Sequence, residues 1–169
     1  MLGEAFGPVN DLLQRVGLHG VSWYGSPWMA RATLILVDTW QWAPFMMLIL
    51  LAGLVAIPRE PLEAARVDGA SAWQIFRFIT FPLLLPATLT AILIRGLELF
   101  KIIDIIRVVT GGGPGRATES VTAYVYDLGA QNGDVAYAST AAYALLITVI
   151  ALSTIFLILA RRATRAYAT

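Results

Sequence analysis

Apolar residues in this chain gather into long unbroken runs. From Ala32 to Ile57 the only formal charge is Asp38, and from Val135 to Ala160 there is none. Each run exceeds the roughly 20 residues that cross a bilayer, so spans with some tilt are predicted at about 31–57 and 135–160. A third, at about 83–106, is less plain. Pro82 and Pro86 bracket its start, and 87–94, ATLTAILI, carries no charge. Arg95, Glu98, Lys101, Asp104 and Arg107 then follow at three-residue steps with alternating sign. On one helix each would lie beside the next, and the ladder would wind, because three residues fall roughly 60° short of a turn. Charges at membrane depth face a bundle interior or a water-filled path. The segment 83–106 is therefore predicted to span, its outer half lining a cavity or a partner. The alternative is a short helix that leaves the membrane early, its charges solvated.

Between the first two spans lies a polar island, 57–86, IPREPLEAARVDGASAWQIFRFITFPLLLP. Pro61 suits the first turn of a short helix. Glu63 and Arg66 are spaced to pair on it, and Gly69 suits the left-handed residue that ends it. Ser71 and Gln74 match a capping box opening a second short helix through Trp73 and Phe76. The island is thus predicted to be a two-helix knob. Pro44 removes one backbone donor inside the first span, where a kink is expected. Residues 1–30 read as a loop, with one or two helical turns at 10–16. Trp23, Tyr24 and Trp28 precede the first span, where amphipathic rings suit the headgroup level. Residues 108–134, with GGGPG, form a second loop, expected to be flexible.

Composition supports the membrane reading: 58% of residues are hydrophobic and 14% charged. A net charge of +1 implies no polybasic face for nucleic acid. There is no cysteine, which removes disulfides and thiolate metal sites. MLGEAFGPVN lacks the basic and apolar regions of a signal peptide. GGGPGRAT lacks the lysine and spacing of a phosphate loop. His19 is the single histidine, so no multi-histidine metal cluster is possible in one chain. Neither a Ser-His-Asp spacing nor G-x-S-x-G occurs. An acid pair from Asp38, Glu98 and Asp104 is conceivable, but pathway lining or helix pairing explains them at less cost. No catalytic residue, metal or cofactor is expected. Arg59, Arg66, Arg77, Arg161, Arg162 and Arg165 outweigh Arg15, Arg31, Lys101, Arg107 and Arg116 only slightly. That bias places the island and the C-terminal tail in the cytoplasm.

Glu63, Ala64 and Ala65, then Gly69, Ile79 and Pro82, resemble the EAA loop of ABC importer permeases. Three further segments agree in order with the sugar-type permeases of the maltose and glycerol-phosphate importer class: VDTWQWAPFMMLILLAGLVAIP at 37–58, FKIIDIIRVVTGGGPGRATES at 100–120 and YAST at 137–140. Phe81 stands where that family usually has leucine. The resemblance implies an all-α membrane protein, about three transmembrane helices with a cytoplasmic two-helix coupling loop at 58–82, part of a larger permease bundle in the inner membrane. It implies a second permease subunit, a nucleotide-binding ATPase dimer and an extracytoplasmic solute-binding protein as partners. Residues carried onto the loop are Glu63, Ala64, Ala65, Asp68, Gly69, Trp73, Phe76, Ile79 and Pro82. Of these, Glu63 would pair with a basic residue of the ATPase, and Trp73 and Phe76 would fill its cleft. Candidate translocation-path residues are Asp38, Trp40, Trp42, Arg95, Glu98, Tyr124 and Tyr126, of which the four aromatic residues suit sugar stacking or interface anchoring equally. Such permeases have about six core spans and three are expected here. The chain therefore reads as the C-terminal half, a fragment or truncated frame. The alternative function is a non-transporting remnant or membrane anchor.

Overall fold

A computed structural model describes residues 7–166, with side chains described as far as Thr164. Among the described residues it is all-helical, without strands. The helices are α1 Pro8–Arg15, α2 Pro27–Val55, α3 Glu60–Val67, α4 Ala72–Phe100, α5 Asp104–Val109, α6 Val121–Tyr126 and α7 Val135–Ala166. Three of them, α2, α4 and α7, are long and apolar enough to cross a membrane. Residues 1–6 and 167–169, and the side chain of Arg165, belong to the expected outer segment and tail but lie outside this description.

The chain divides into two compact units. One holds the residues up to Gln41 together with Lys101–Tyr143; the other holds Trp42–Phe100 and the chain from Ala144 onward. In the first, the N-terminal stretch is tied down by one buried side chain. Asn10 is 4% exposed. Its Nδ2 donates to the Val21 carbonyl at 3.0 Å, and its Oδ1 accepts from the Val21 amide and from Trp23 Nε1. Thr33 Oγ1 in turn donates to the Trp23 carbonyl. The span expected at 31 starts earlier, at Pro27, because Ser26 caps it by accepting from the Met29 amide and proline is tolerated in a first turn. Trp28 sits within that turn rather than before it.

In the second unit α2 meets α4 closely. A Cβ on Gly53 would lie 2.6 Å from the Ala87 Cβ. Small residues of this kind let membrane helices approach where no hydrophobic effect drives them together. α2 continues through Pro44 without ending.

Little of this surface is buried. Among the described residues the buried apolar ones are Ala30, Leu34, Ala91, Ile106, Ala123 and Ala138, and no large side chain is fully buried. Met47, Ile147 and Leu159 are more than half exposed. In water such a surface would cost about 25 cal/mol per Å²; hydrocarbon removes that cost. The hydroxyls along α7 fit the same environment. Ser139, Thr140, Thr148 and Thr154 each donate to the carbonyl four residues back, so none needs water.

The second span departs most from expectation. α4 is continuous from Ala72 to Phe100, so the second helix of the knob is the start of the span itself. Residues Phe76–Thr80 form a wide π turn within it. The turn precedes Pro82, which has no amide and would crowd a carbonyl four residues back in a regular helix. The helix stops at Phe100, short of 106. The charge ladder is thereby broken: Lys101 lies in a turn and Asp104 opens the separate helix α5. Ser120 Oγ donates to the Ile102 carbonyl at 2.6 Å, holding the break, and Arg107 pairs with distant Asp127.

Candidate docking knob and polar cluster

The knob begins where the apolar run stops. Arg59 is the N-cap of α3, Pro61 sits in its first turn, and Glu60 and Glu63 place negative charge at its N-terminus, where the helix dipole favours it. The helix ends at Asp68. Gly69 has φ of +77°; its amide donates to the Arg66 carbonyl at 3.1 Å, and the Ala70 amide to the Ala65 carbonyl at 2.9 Å. This pair of bonds is a Schellman motif. Ser71 then caps α4. Its Oγ accepts from the Gln74 amide at 3.4 Å, while its own amide donates to Gln74 Oε1 at 2.8 Å. Both signals legible in the sequence, the glycine and the capping box, are therefore used.

The expected Glu63–Arg66 pair is not formed. Glu63 and Arg66 both stay exposed, and Arg66 borders a cleft with Ala70, Ala72, Ile75, Phe76 and Thr80. Trp73 and Phe76 stack with centroids 5.6 Å apart and planes at 29°, although Trp73 is 66% exposed. Val67, Phe78 and Phe81 are also exposed. Ala64 and Asp68 are exposed and Ala65 half-buried, Ile79 lies in the π turn, and Pro82 follows it, half-buried.

Gly69 can be tested by itself. A Cβ there would meet nothing within 4 Å, so a substitution acts through φ alone. Gly69→Val should destabilise the turn by about 1–3 kcal/mol, while Gly69→Asn should be tolerated. Hydrogen exchange at the Gln74 amide measures the difference, and equal protection in both variants would refute it.

The candidate path residues fall into separate groups. Trp42 carries the Arg95 guanidinium over its ring at 4.7 Å and meets Phe45 edge-on at 5.6 Å. Glu98 is half-buried in α4, Asp38 is half-buried in α2, and Trp40 is 74% exposed. Tyr124 and Tyr126 lie in α6. Arg116 stands over Tyr124 at 5.8 Å and Arg107 over Tyr126 at 4.3 Å. A hydrogen bond shared with Tyr137 holds the Tyr124 phenol above its ordinary pKa, the neutral form being the one that bond favours.

Around these tyrosines lies a polar cluster that spacing did not reveal. Arg107 pairs with Asp127, and Arg116 with Glu119 at 3.4 Å. The Arg107 Nε is buried without an acceptor, so the guanidinium is held by one edge. The glycine loop beside them is tied by its own hydrogen bonds. Gly111, Gly112 and Gly115 have positive φ. Buried Thr118 donates from Oγ1 to the Gly113 carbonyl at 2.9 Å and from its amide to the Gly112 carbonyl at 3.1 Å. The Thr110 and Thr118 hydroxyls are 2.8 Å apart. The glycines flagged a turn; nothing local flagged Asp127 as the partner of Arg107.

Residues 5–168 match the family model described as binding-protein-dependent transport system inner membrane component. The chain is similar to the trehalose/maltose transport system permease protein MalF of Thermococcus litoralis, 42% identical over 75% of this chain and 43% of that protein. It is also similar to the sulfoquinovosyl glycerol transport system permease protein SmoG of Agrobacterium fabrum, 40% identical over 81% of this chain and 44% of that one. It thus spans less than half the length of either. Among solved structures, a bacterial alginate ABC transporter in complex with an alginate pentasaccharide-bound periplasmic protein superposes with a TM-score of 0.85 at 26% identity. That match covers 96% of this chain and 57% of the other.

Proposed function

The chain belongs to the family of binding-protein-dependent transport system inner membrane components, and from that premise we propose that it is the part of an importer permease that couples to a separate ATPase. It is a multi-pass membrane protein. The solute class is a sugar or related polyol, in keeping with relatives named for trehalose, maltose and sulfoquinovosyl glycerol. The partners are a second permease subunit, two copies of a nucleotide-binding ATPase and an extracytoplasmic solute-binding protein. The chain itself does no bond chemistry.

The observation that carries this reading is the continuity of α4. Its first turn is the second helix of the knob and the same helix, unbroken to Phe100, is the span. A helix of this length is a lever of about 40 Å. Closure of the ATPases on bound ATP would push the knob, and α4 would carry the displacement across the bilayer. Glu63 would meet a basic residue of the ATPase. Trp73 and Phe76 would enter its cleft, with Ala64 and Ala65 keeping the face of α3 slim. Ile79 and Pro82 lie at the π turn, where the direction of α4 is set.

In this reading residues 58–82 and 161–169 are cytoplasmic, and 1–30 and 108–134 are outside. The natural chain has no cysteine, so single reporters are simple to place. Exposed Ser71 and Ala130 serve as Ser71→Cys and Ala130→Cys. On intact spheroplasts an impermeant maleimide should label Ala130→Cys alone, and the cognate ATPase should co-purify with the chain. Labelling of Ser71→Cys alone would reverse the orientation, and absence of ATPase from the purified chain would remove the coupling role.

A further inference from the structure

The polar cluster lines a half-open cavity of about 300 Å³. We propose that it is an outer holding site for a neutral polyhydroxylated solute, receiving one sugar or polyol ring while the rest of the solute stays outside. The solute class rests on the importer reading, whereas the place of the site rests on the cavity. Its volume lies at the low end of small-molecule pockets, enough for a ring and not for a long chain. Arg107, Arg116, Glu119, Asp127 and Gln131 supply its polar walls.

The charges on those walls cancel. Each guanidinium already has a carboxylate, Arg107 with Asp127 and Arg116 with Glu119. With two guanidinium groups balanced by two carboxylates, an anionic solute gains no net attraction and meets the carboxylates' repulsion. A sugar hydroxyl both donates and accepts, so it adds to such a pair without breaking it: carboxylates accept, guanidinium groups donate and the Gln131 amide does both. The glycine loop contributes backbone without side chains; a Cβ on Gly111, Gly112 or Gly115 would meet nothing within 4 Å. Tyr126 lies against the Arg107 guanidinium at 4.3 Å, which with Asp127 orders it before a ligand arrives, while the more exposed Arg116 stands over Tyr124 at 5.8 Å. Fixed donors and acceptors of both kinds at the wall are what recognition of a polyol requires.

The test uses the full chain in nanodiscs, with maltose and trehalose as neutral probes and glucuronate as an anionic one. Gln131 is exposed, and Gln131→Cys gives one reporter in a cysteine-free chain. Maltose or trehalose should slow its maleimide labelling several-fold and saturably, with glucuronate much weaker and the Ser71→Cys reporter unaffected. Adding Glu119→Gln should raise the half-protecting concentration roughly tenfold, the effect of losing one charge-assisted hydrogen bond. Equilibrium binding of labelled maltose and trehalose to the unsubstituted chain, with and without Glu119→Gln, covers the case in which Gln131→Cys does not fold. No protection and no binding by either disaccharide would overturn the proposal, as would glucuronate acting at equal or lower concentration. ATPase co-purification, run in parallel, separates the two readings. Protection without association keeps the cavity and removes the importer; association without protection does the reverse.

Discussion

Glu63→Lys should uncouple solute-stimulated ATP hydrolysis almost completely. Glu63 stands on the first turn of a short capped helix and is exposed, and the expected internal partner, Arg66, does not take it. Its carboxylate is therefore available to a partner. Within the chain the reversal costs little, about 0.3–1 kcal/mol from the lost helix-dipole interaction. Against a basic residue in a closed interface the cost is of another order. A charge pair broken from one side in a desolvated setting loses on the order of 3–5 kcal/mol, and reversal adds repulsion. Glu63→Gln should lie between, since it keeps the shape and a hydrogen bond but not the charge. The measurement is solute-stimulated ATPase activity of the reconstituted complex, with chain abundance in the membrane as a control. Wild-type stimulation in Glu63→Lys would mean that Glu63 is only a solvated charge. Recovery by a lysine-to-glutamate change on the ATPase would identify the contact.

The knob was legible because its signals are local. Gly69 and the Ser71–Gln74 box act over three or four residues, within the reach of spacing arguments, and both bonds are made as those rules require. The spans were legible because lipid imposes a length and an absence of charge, and Ala32–Ile57 and Val135–Ala160 meet both. What failed was any inference from regular spacing to a continuous helix. Arg95, Glu98, Lys101, Asp104 and Arg107 step by three, yet α4 ends before Lys101. Arg95 goes to the Trp42 ring and Arg107 to Asp127. These are tertiary contacts made by residues far apart in the chain, and neighbours on a helix surface supply only about 0.2–0.5 kcal/mol per pair to oppose them. The π turn at Phe76–Thr80 was hidden for a similar reason. Pro82 reads as a helix boundary, but one wide turn lets the helix run through it. Asn10 was missed because spacing places it only at the start of a short helical stretch, and only burial shows that it fastens Val21 and Trp23.

Trp73→Ala should weaken association with the ATPase by roughly 2–4 kcal/mol, the range of an interface hot spot. Trp73 and Phe76 stack on each other while Trp73 remains 66% exposed, so a preformed aromatic wedge faces outward at the end of α4. Each ring covers one face of the other and leaves apolar surface exposed, Trp73 more than Phe76, and a partner cleft would gain the burial of what remains. The competing role is a membrane-surface anchor, for which tryptophan is equally suited. The two roles separate experimentally. An anchor loses insertion and abundance when truncated to alanine and leaves ATPase affinity among inserted molecules unchanged. A wedge keeps abundance and loses affinity. The capping box is untouched by either change, because Ser71 and Gln74 carry it. A double-mutant cycle with Phe76→Ala adds a second criterion. Stacked residues entering one pocket should show a coupling of about 0.5–3 kcal/mol, whereas two independent anchors should give additive losses. Additivity with unchanged ATPase affinity would leave the knob with Glu63 and α3 as its only contacts, too narrow a surface to drive a helix across a bilayer.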